Sequence, residues 1–328
     1  MELPWLEHTG ISWLRALEDE TGFAESVMDG VAVRNTTPTA VTQSRLGYCW
    51  SRLALLFPHQ SHFATAADKS FRLLQQESFA PDEEDFRVYD QSFYLLFMSW
   101  YFRLTRDRKA TRLLGDRYLR THRHLENAGV GGFGPQSADM RSHNPYMHLL
   151  EALLAAFRNT QDEYWLIQAR RIEELFFTRL LDHKRGIVFE FRNSDWSVAG
   201  EGRVEIGHQL EWATLLLELD ASPELRSTAG HLSEFAFRHG FEDGLAINSV
   251  DADGVPTDGG KLLWVQTEAA RRLTGQRAEE HWKLIRRHFF HANGWSWYNR
   301  LTAENTPVEE PSNARLLYHV VTAAAEIT

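Results

Sequence analysis

The sequence has almost no cysteine and no long hydrophobic run. Its one cysteine among 328 residues, Cys49, excludes an internal disulfide and is typical of a reducing compartment. No stretch approaches the roughly 18 apolar residues that a membrane-spanning helix requires. The first residues, MELPWLEHTGISWL, have neither the basic start nor the apolar stretch of a signal peptide. We therefore expect a cytoplasmic protein that has no membrane partner.

The sequence has no net positive charge, and several catalytic motifs are absent. The formal net charge is −10, and no basic run stands out, which argues against nucleic-acid partners. There is no P-loop, no usable GxGxxG dinucleotide fingerprint and no GxSxG nucleophile motif. The 15 histidines form no HExxH motif, and His143 and His148 are five residues apart, which puts them on different helix faces. We therefore expect neither a metal nor a redox cofactor.

Helical periodicity dominates the rest of the chain. Hydrophobic residues make up 43% and aromatic residues 12% of the sequence, which is ample for a large core. Apolar residues recur at spacings of three and four in eleven segments, which predicts a helix in each. These segments are 43–57, 62–76, 89–105, 108–126, 145–158, 161–180, 208–219, 222–238, 261–274, 277–290 and 312–326.

A second pattern recurs between some of these helices. It consists of a glycine, alternating apolar residues and a turn, which predicts short β-hairpins or extended loops. It begins at Gly22, Gly132, Gly186, Gly244 and Gly294. The last four glycines are separated by 54, 58 and 50 residues, and Gly22 precedes Gly132 by 110, about twice that period. The spacing indicates a repeated helix–helix–hairpin module, with one shortened connection near residue 77.

Six such modules would close into an all-α (α/α)6 barrel with the hairpins at one end. The alternative is an open solenoid of helical pairs. We favour closure, as one domain over residues 1–328, because the length suits about six modules and neither terminal segment resembles a solvated cap. In a closed barrel the equivalent helix starts meet at one mouth. The polar residues that interrupt the apolar patterns would gather there: Arg45, Tyr89, Asp90, Asn144, His148, His208, Glu211, Trp264, Gln266, Glu268 and His319.

The segment NPYMHLLEA contains the first of these groups. Pro145 fits the first turn of a helix, so Asn144 is a natural N-cap. His148 follows four residues later on the same face. The pair is either a binding group or a cap followed by a hydrogen-bonded core histidine.

The segment GHQLEW is more pointed. Glu211 follows His208 by three residues, so its carboxylate can hold one imidazole nitrogen and leave the other as a base. The alternative is a structural hydrogen-bonded pair. His319 lies among apolar residues and by itself reads as a core histidine. Arg45 is either paired with Glu268 or Glu151 or held as a fixed charge for a developing oxyanion.

Taken together, these motifs resemble the N-acylglucosamine 2-epimerase family. The segments QSR, YDQSF, NPYMHLLEA, FEFRNSDW, EIGHQLEW, LLWVQTEA and LYHVVTA follow the family's order over roughly residues 12–326. NPYMHLLEA and GHQLEW are the most specific of them. The resemblance implies an (α/α)6 barrel with a sugar site at one mouth and, because members are often dimers, a homodimer.

The resemblance also implies roles for individual residues. His208 and His319 would be the two acid/base groups, with Glu211 supporting His208. Arg45 would lie near the sugar oxygens on C1 or C2. The remaining candidates would bind the sugar or help to open its ring: Tyr89, Asn144, His148, Trp264, Gln266 and Glu268.

Four departures from the family pattern bear on the identity of the substrate. Ile206 stands where an acidic–proline–glycine–histidine run has its proline. Thr322 lies where a proline–arginine pair often follows the last histidine. The run NARLLYH, residues 313–319, differs from the PASTLYH type of some bacterial members, and the shortened connection near residue 77 removes one wall of the mouth.

The implied reaction is removal of a proton from C2 of an open-chain aldose, through a cis-enediolate that Arg45 stabilises. The expected activity is interconversion of a mannose-type aldose and its ketose, with 2-epimerisation of a hexose, an N-acyl hexosamine or a disaccharide as the alternative. Two readings come from other classes. One is a glycoside hydrolase that uses Glu211, Glu268 or Asp195, and the other is a non-catalytic sugar-binding protein.

Overall fold

The computed structural model describes residues 3–34, 37–81, 86–126 and 140–327. Twelve α-helices lie in these ranges, and eleven of them correspond to the predicted segments. They are α1 (Leu3–Leu17), α2 (Ala40–Leu56), α3 (Ser61–Leu73), α4 (Val88–Thr105), α5 (Arg108–Glu126), α6 (Asn144–Thr160), α7 (Glu163–Leu175), α8 (Ile206–Leu219), α9 (Pro223–His239), α10 (Leu263–Arg272), α11 (Gln276–Phe289) and α12 (Leu317–Ile327).

The helices form two concentric rings, and the inner ring closes. Helix α2 contacts α4, and the contacts continue through α6, α8, α10 and α12 back to α2. Each of the first five inner helices also packs against the outer helix that follows it, from α3 beside α2 to α11 beside α10. The predicted (α/α)6 barrel is therefore confirmed, and the open solenoid is wrong because the last inner helix packs on the first.

The difference between the rings is visible in the burial of single helices. Nearly every residue of α8 is buried, as expected for a helix that has neighbours on all sides. In the outer helix α11 the buried residues are only Ala278, His281, Trp282, Ile285 and Phe289, which repeat at three and four along one face. The outer ring thus shields the inner one from water with a single apolar stripe per helix.

Helix α1 is the element that the sequence analysis missed. It buries Leu6, Trp13, Leu14 and Leu17. Gly10 interrupts the pattern because a Cβ there would stand 2.8 Å from Leu53 Cδ1, so only glycine allows this close approach. The other end of the outer ring is reached through Trp5, whose ring meets Trp282 of α11 edge-on at 5.9 Å. Helix α1 therefore completes the outer ring.

Sixteen short strands occur in the described ranges, all of two or three residues. They are β1 (Glu18–Asp19), β2 (Gly22–Phe23), β3 (Ser26–Met28), β4 (Val31–Val33), β5 (Met140–Ser142), β6 (Leu181–Asp182), β7 (Ile187–Val188), β8 (Phe191–Asn193), β9 (Val204–Glu205), β10 (Phe241–Glu242), β11 (Leu245–Ala246), β12 (Ser249–Val250), β13 (Pro256–Asp258), β14 (Lys261–Leu262), β15 (Arg300–Leu301) and β16 (Ser312–Asn313).

The strands repeat the predicted module. In three modules a strand at the end of the outer helix pairs antiparallel with a strand that leads towards the next inner helix, namely β1–β2, β6–β7 and β10–β11. A single bridge between Phe290 and Trp297 takes this place after α11. All of these pairs lie in connections from an outer to an inner helix. The strands are therefore gathered at the end of the barrel where the inner helices begin.

The predicted extended segments at Gly22, Gly186, Gly244 and Gly294 are confirmed. The first contains a true hairpin, β3–β4, whose two turn residues Asp29 and Gly30 have φ values of 50° and 80°. Positive φ at both positions is the type I′ geometry for which Asp-Gly is favoured. The segment at Gly132 lies outside the described residues. Near residue 77 the chain forms a 3₁₀ turn, Glu77–Phe79, and residues 82–85 of that connection also lie outside.

Three inner helices are fixed to these strands by the same device. The side chain of Gln43 accepts a hydrogen bond from the N–H of Phe23 and donates to its carbonyl. Gln209 does the same with Val188, and Gln266 with Ala246. Each glutamine thus imitates a neighbouring strand and ties the start of its helix to the strand beside it.

The last module joins the first. Strand β16 pairs with β3, and the Thr322 hydroxyl lies 2.8 Å from the Tyr48 hydroxyl. The predicted helix 312–326 therefore begins later than expected, because residues 312–313 form β16 and residues 314–316 a 3₁₀ turn before α12. None of the helices in the described ranges is long and apolar enough to cross a bilayer.

Candidate active site

The predicted site residues gather at the strand-bearing end of the barrel. Each lies within the first six residues of an inner helix: Arg45 on α2, Tyr89 on α4, Asn144 and His148 on α6, His208 and Glu211 on α8, Trp264, Gln266 and Glu268 on α10, and His319 on α12. All six inner helices therefore contribute to one mouth.

His208 is held by a carboxylate that the sequence analysis did not select. Its Nδ1 donates to Glu190 Oε2 at 2.7 Å and lies 3.2 Å from Glu205 Oε2. Glu190 follows β7 and is itself buried. With Nδ1 committed to a carboxylate, Nε2 is the nitrogen left for chemistry. The geometry is that of an imidazole oriented by an acidic partner.

This arrangement corrects the predicted role of Glu211. Its carboxylate is 1% exposed, and neither oxygen has a hydrogen-bond partner. The nearest ion-pair contact is His148 Nδ1 at 3.7 Å, so Glu211 does not hold an imidazole nitrogen of His208 as predicted. Burial, together with the charges of Glu268 and Glu151, raises the pKa of Glu211 well above its usual range. The prediction is wrong because neither oxygen of Glu211 binds the imidazole, whereas Glu190 binds it from a different element.

The environment of His208 favours its protonated form. Burial by itself lowers the pKa of His208, but the charge and hydrogen bond of Glu190 overcome this effect. Glu205 adds to it, and the pKa of His208 rises to about 9. The same interaction holds the pKa of Glu190 well below its usual range, against the effect of burial.

His319 forms a second pair of the same kind with a different outcome. Its Nδ1 donates to Glu268 Oε1 at 3.0 Å, and Arg271 Nη1 binds the other oxygen at 2.8 Å. Both carboxylate oxygens of Glu268 are therefore occupied within the protein, instead of binding the sugar as predicted. Burial would raise the pKa of Glu268, but Arg271 and His319 lower it to about 2. Burial lowers the pKa of His319, and Glu268 offsets only part of that effect.

Trp264 lies between the two histidines. Its ring centroid is 4.9 Å from that of His208 and 5.7 Å from that of His319. A Cβ on Gly207 would stand 2.3 Å from Trp264 Cζ3, so the glycine before His208 is required by the position of this ring. The indole ring therefore packs beside both imidazoles.

Arg45 has no carboxylate partner among the described residues. Its guanidinium donates to the Tyr89 hydroxyl and lies 3.8 Å from the centroid of the Phe93 ring, while its Nε is unpaired. Of the two predicted alternatives, pairing with Glu268 or Glu151 is thus wrong. A buried arginine that contacts only neutral groups retains its full charge for an anionic group.

His148 faces the same space. Its Nδ1 lies 3.3 Å from Glu151 Oε2, and its ring meets the Tyr89 ring at 5.2 Å. Burial and the nearby charge of Arg45 lower the pKa of His148 well below its usual range. Glu151 also accepts a hydrogen bond from the Tyr318 hydroxyl. His148 is therefore a neutral imidazole at the floor of the mouth.

Two other predicted positions differ in detail. Helix α6 begins at Asn144, so His143 and not Asn144 is the N-cap residue, and the Asn144 N–H donates to Ser142 Oγ. The Asn144 Oδ1 atom is buried without a partner, which keeps the residue a binding candidate. Gln266 is fully committed to Ala246 and is not a sugar ligand, because its amide is needed to hold β11 to α10. Thr322 is likewise turned inward to Tyr48.

Sequence reasoning missed Glu190 and His143. Glu190 alternates with Phe189 and Phe191 in the segment GIVFEF, which predicts an exposed glutamate, yet Glu190 is buried and Phe191 is exposed. His143 was considered only as a partner of His148. Its Nε2 lies 3.1 Å from Glu190 Oε2, behind His208. Neither contact can be deduced from spacing, because the residues lie on separate connections.

Two groups in the described part of the chain have metal-ligand chemistry. They are His143, Glu190 and His208, and His148, Glu151 and Glu211, with ligand atoms within 4.8 Å of one another in each group. In the first group the Trp212 N–H donates to His143 Nδ1 at 3.0 Å, so the hydrogen of a neutral His143 is on Nε2, the atom that would have to bind a cation. The donor set of this first group therefore suits a hydrogen-bond network better than a metal.

Comparison with known proteins agrees with this architecture. Residues 22–323 match the family model of N-acylglucosamine 2-epimerase. A mannose-6-phosphate isomerase of Rhizobium meliloti is 30% identical over 278 residues, covering 75% of this chain and 70% of the relative. A D-mannose isomerase of Thermobifida fusca is also 30% identical, over 168 residues that span only 43% of this chain and 41% of that relative.

A solved structure of a D-mannose isomerase superposes on 99% of the chain, with a TM-score of 0.86 at 20% identity and 96% of its own length covered. At that identity the superposition shows a shared fold. The closed ring of helix pairs, with histidine–glutamate pairs at one mouth, defines the class as an (α/α)6 barrel. With the family model matching nearly the whole length, the chain belongs to the N-acylglucosamine 2-epimerase family.

Proposed function

We propose that this protein is an aldose–ketose isomerase that interconverts D-mannose and D-fructose. The observation that carries this proposal is the placement of two histidine–carboxylate pairs beside one indole ring, with an unpaired arginine at the same mouth. That set supplies what proton transfer next to a carbonyl needs: a base, an acid and a fixed charge for the oxyanion.

The environments of the two histidines divide the roles. Glu190 and Glu205 both face His208 and favour its cation, whereas Glu268 is shared between His319 and Arg271. At neutral pH His319 is therefore the base and His208 the acid. Two titratable groups whose surroundings push their pKa values apart are the usual sign of such a division.

The reaction then follows in two proton transfers. His319 removes the proton from C2 of the open-chain aldose, the C1–C2 double bond forms, and His208 gives a proton to the C1 oxygen. Arg45 stabilises the negative charge that develops on the oxygens of C1 and C2. His319 returns its proton to C1, while His208 takes the proton from the C2 oxygen, which becomes the ketone. Both histidines end in the states in which they began.

The charges around the mouth favour an uncharged sugar. The segments outside the described ranges contain no lysine or arginine, so every cation of the chain lies in the described part. Lys261 is buried and donates to the carbonyl of Ala303. Four arginines of the connections are paired with acidic residues: Arg34 with Asp19, Arg203 with Glu205, Arg300 with Glu310, and Arg315 with Glu25. A phosphate would have to displace these partners.

A second candidate within the same chemistry is 2-epimerisation. His208 and His319 come from different helices and each packs near Trp264, so His208 could return a proton to C2 on the face opposite to His319. The hydrolase reading has less support. Glu268 is committed to His319 and Arg271, and Asp195 lies in an exposed turn where it binds Ser197, so the two do not form a carboxylate pair.

The test is incubation with D-mannose in D₂O, followed by proton and carbon NMR over hours. Build-up of fructose, with or without deuterium at C1, supports the isomerase. Glucose deuterated at C2 without fructose would establish the epimerase instead. No exchange with mannose, together with turnover of mannose 6-phosphate, would contradict the uncharged substrate. A His208→Ala variant that retains over half of the wild-type rate would contradict the mechanism.

A further inference from the structure

A third histidine lies directly behind the first catalytic pair. His143 Nε2 is 3.1 Å from Glu190 Oε2, the same oxygen to which His208 donates. The rings of His143 and His208 are nearly perpendicular, with centroids 5.0 Å apart. His143 is only 1% exposed, and its Nε2 is directed to Glu190, so we assign it no direct part in the chemistry.

Trp212 determines which nitrogen of His143 carries the hydrogen. The indole Nε1 donates to His143 Nδ1 at 3.0 Å, and an indole N–H can only donate. Nδ1 must therefore accept with its lone pair, which leaves the hydrogen of the neutral ring on Nε2. Trp212 follows His208 by one turn of α8, so the same helix fixes both the catalytic ring and the tautomer of the ring behind it.

The Glu190 carboxylate is thereby held at both oxygens. Ser142 Oγ donates to Oε1 at 3.1 Å, while the His143 and His208 nitrogens both meet Oε2. Ser142 ends β5 and His143 follows it, just before α6, and β5 pairs with β8, just beyond Glu190. The carboxylate is thus fixed by groups from a neighbouring module as well as by its own histidine.

We propose that His143, locked in its Nε2–H tautomer by Trp212, is a positioning residue that holds Glu190 against His208. The proposal rests on the proposed function for its kinetic readouts, but the tautomer itself can be measured without substrate. The Nε2–H of His143 lies 3.1 Å from the charged carboxylate without the alignment of a full hydrogen bond, and this contact limits the freedom of Glu190 to turn away. The acid of the reaction then keeps its orientation through turnover.

The fixed Nε2–H tautomer of His143 also argues against a metal site here. His143, Glu190 and His208 have the donor atoms of a metal site, yet a metal would need the lone pair of His143 Nε2. The Trp212 N–H prevents this by claiming Nδ1. The charged and titratable groups that face His208 in this network are Glu190, Glu205, Glu211 and His143.

The spectroscopic test compares Trp212→Phe with Trp13→Phe by carbon and nitrogen NMR of labelled histidines. Trp13 is a matched control, because it is equally buried and its Nε1 also donates one hydrogen bond, to the Trp295 carbonyl, but it lies on the outer ring. We expect the wild type and Trp13→Phe to show one histidine fixed as the Nε2–H tautomer. In Trp212→Phe that histidine should show the Nδ1–H form as well. An unchanged tautomer in Trp212→Phe would overturn the proposal.

The kinetic test compares His143→Leu with His143→Gln. Leucine removes the N–H that contacts Glu190, so kcat should fall about tenfold, and KM should stay within twofold of the wild type. The fall in rate at alkaline pH should move to higher pH, because the full charge of Glu190 then acts on His208. Glutamine restores an N–H donor and should recover most of both. Equal pH profiles for the leucine and glutamine variants would show a purely structural role.

A failure of the proposed function is distinguishable from a failure of this inference. If the protein does not act on mannose, the histidine spectra still report whether Trp212 fixes the tautomer of His143. If it is active and the tautomer changes in Trp212→Phe without any change in kcat or in the pH profile, the lock exists but does not position the acid, and the proposal is overturned.

Discussion

Arg271 binds the carboxylate of Glu268 through an Nη1–Oε2 contact of 2.8 Å, one turn along α10. That contact lies directly behind His319, which uses the other oxygen of Glu268. No arginine in the described part of the chain binds Glu190, and Glu205, which is itself paired with Arg203, adds a second carboxylate beside His208. The two histidines thus share a carboxylate-bound Nδ1 but differ in the number of carboxylates that face them.

The first prediction is a bell-shaped dependence of kcat/KM on pH. The rate requires neutral His319, so it should fall as the pH drops through the pKa of that residue, which lies below 6.5. It also requires protonated His208, so it should fall as the pH rises through about 9. Initial rates of fructose formation from mannose between pH 4 and about 10.5 measure both limbs. A rate that keeps rising above pH 9 would contradict the role of His208.

The second prediction concerns Glu205. Replacing it by Gln removes one of the two negative charges beside His208 and should move the alkaline limb to lower pH, because the imidazolium loses stabilisation. The acid limb should stay in place, since His319 has a different carboxylate. Glu201→Gln, in the exposed part of the same connection, is the control. An identical shift in both variants would mean that the effect is one of general charge.

The third prediction concerns Gly207. Its replacement by Ala places a Cβ against Trp264 and should displace the indole that packs beside both imidazoles. We expect kcat to fall by about 10²-fold, the size of effect that a misplacement of about 1 Å can cause. The control is Gly115→Ala on α5, where a Cβ meets nothing within 4 Å. That variant should gain about 0.5–1 kcal/mol in stability and keep its rate. Equal rates in the two variants would exclude the indole from the mechanism.

The fourth prediction concerns Arg45. Arg45→Lys retains the charge but loses the planar group that stacks on Phe93 and donates to Tyr89. The rate constant kcat should fall by about 10²–10³-fold, as for the loss of an oxyanion donor. The melting temperature should change less for Arg45→Lys than for Arg45→Leu. Turnover by Arg45→Leu at the wild-type rate would remove Arg45 from the oxyanion role.

The fifth prediction separates Gln266 from the site. Gln266→Leu leaves the N–H and carbonyl of Ala246 without their partner, so the free energy of unfolding should fall by about 2 kcal/mol. The KM for mannose at a temperature where the variant is folded should stay within about twofold of the wild type, because the amide does not face the sugar. Denaturant titration and initial rates measure the two effects. A raised KM with unchanged stability would restore the sugar-binding role.

Much of the fold could be predicted because it is written in local patterns. Apolar residues at three and four mark eleven helices, and the Asp29–Gly30 turn marks a hairpin of defined type. Helix α1 escaped notice because Gly10 breaks its pattern, and that glycine exists for contact with Leu53, 43 positions further along the chain. A packing requirement between distant segments has no signature in the segment itself.

The site likewise contains residues that the sequence reveals and contacts that it does not. His208, His319 and Arg45 are visible as polar interruptions at helix starts, and the closed ring brings them to one mouth. The partner of His208 could not be deduced, since Glu211 has suitable spacing while Glu190 arrives from a separate connection. Gln266 shows the converse error, because a buried amide near a site serves the backbone of a neighbouring strand equally well.

The most direct measurement is a pH titration of the two imidazoles by carbon NMR of histidine-labelled protein, with signals assigned through His208→Gln and His319→Gln. We predict that His208 stays protonated at neutral pH and titrates near 9, while His319 is neutral and titrates below 6.5. The reverse order would contradict the account, because His208 would then be the base and Arg271 would not set the role of His319.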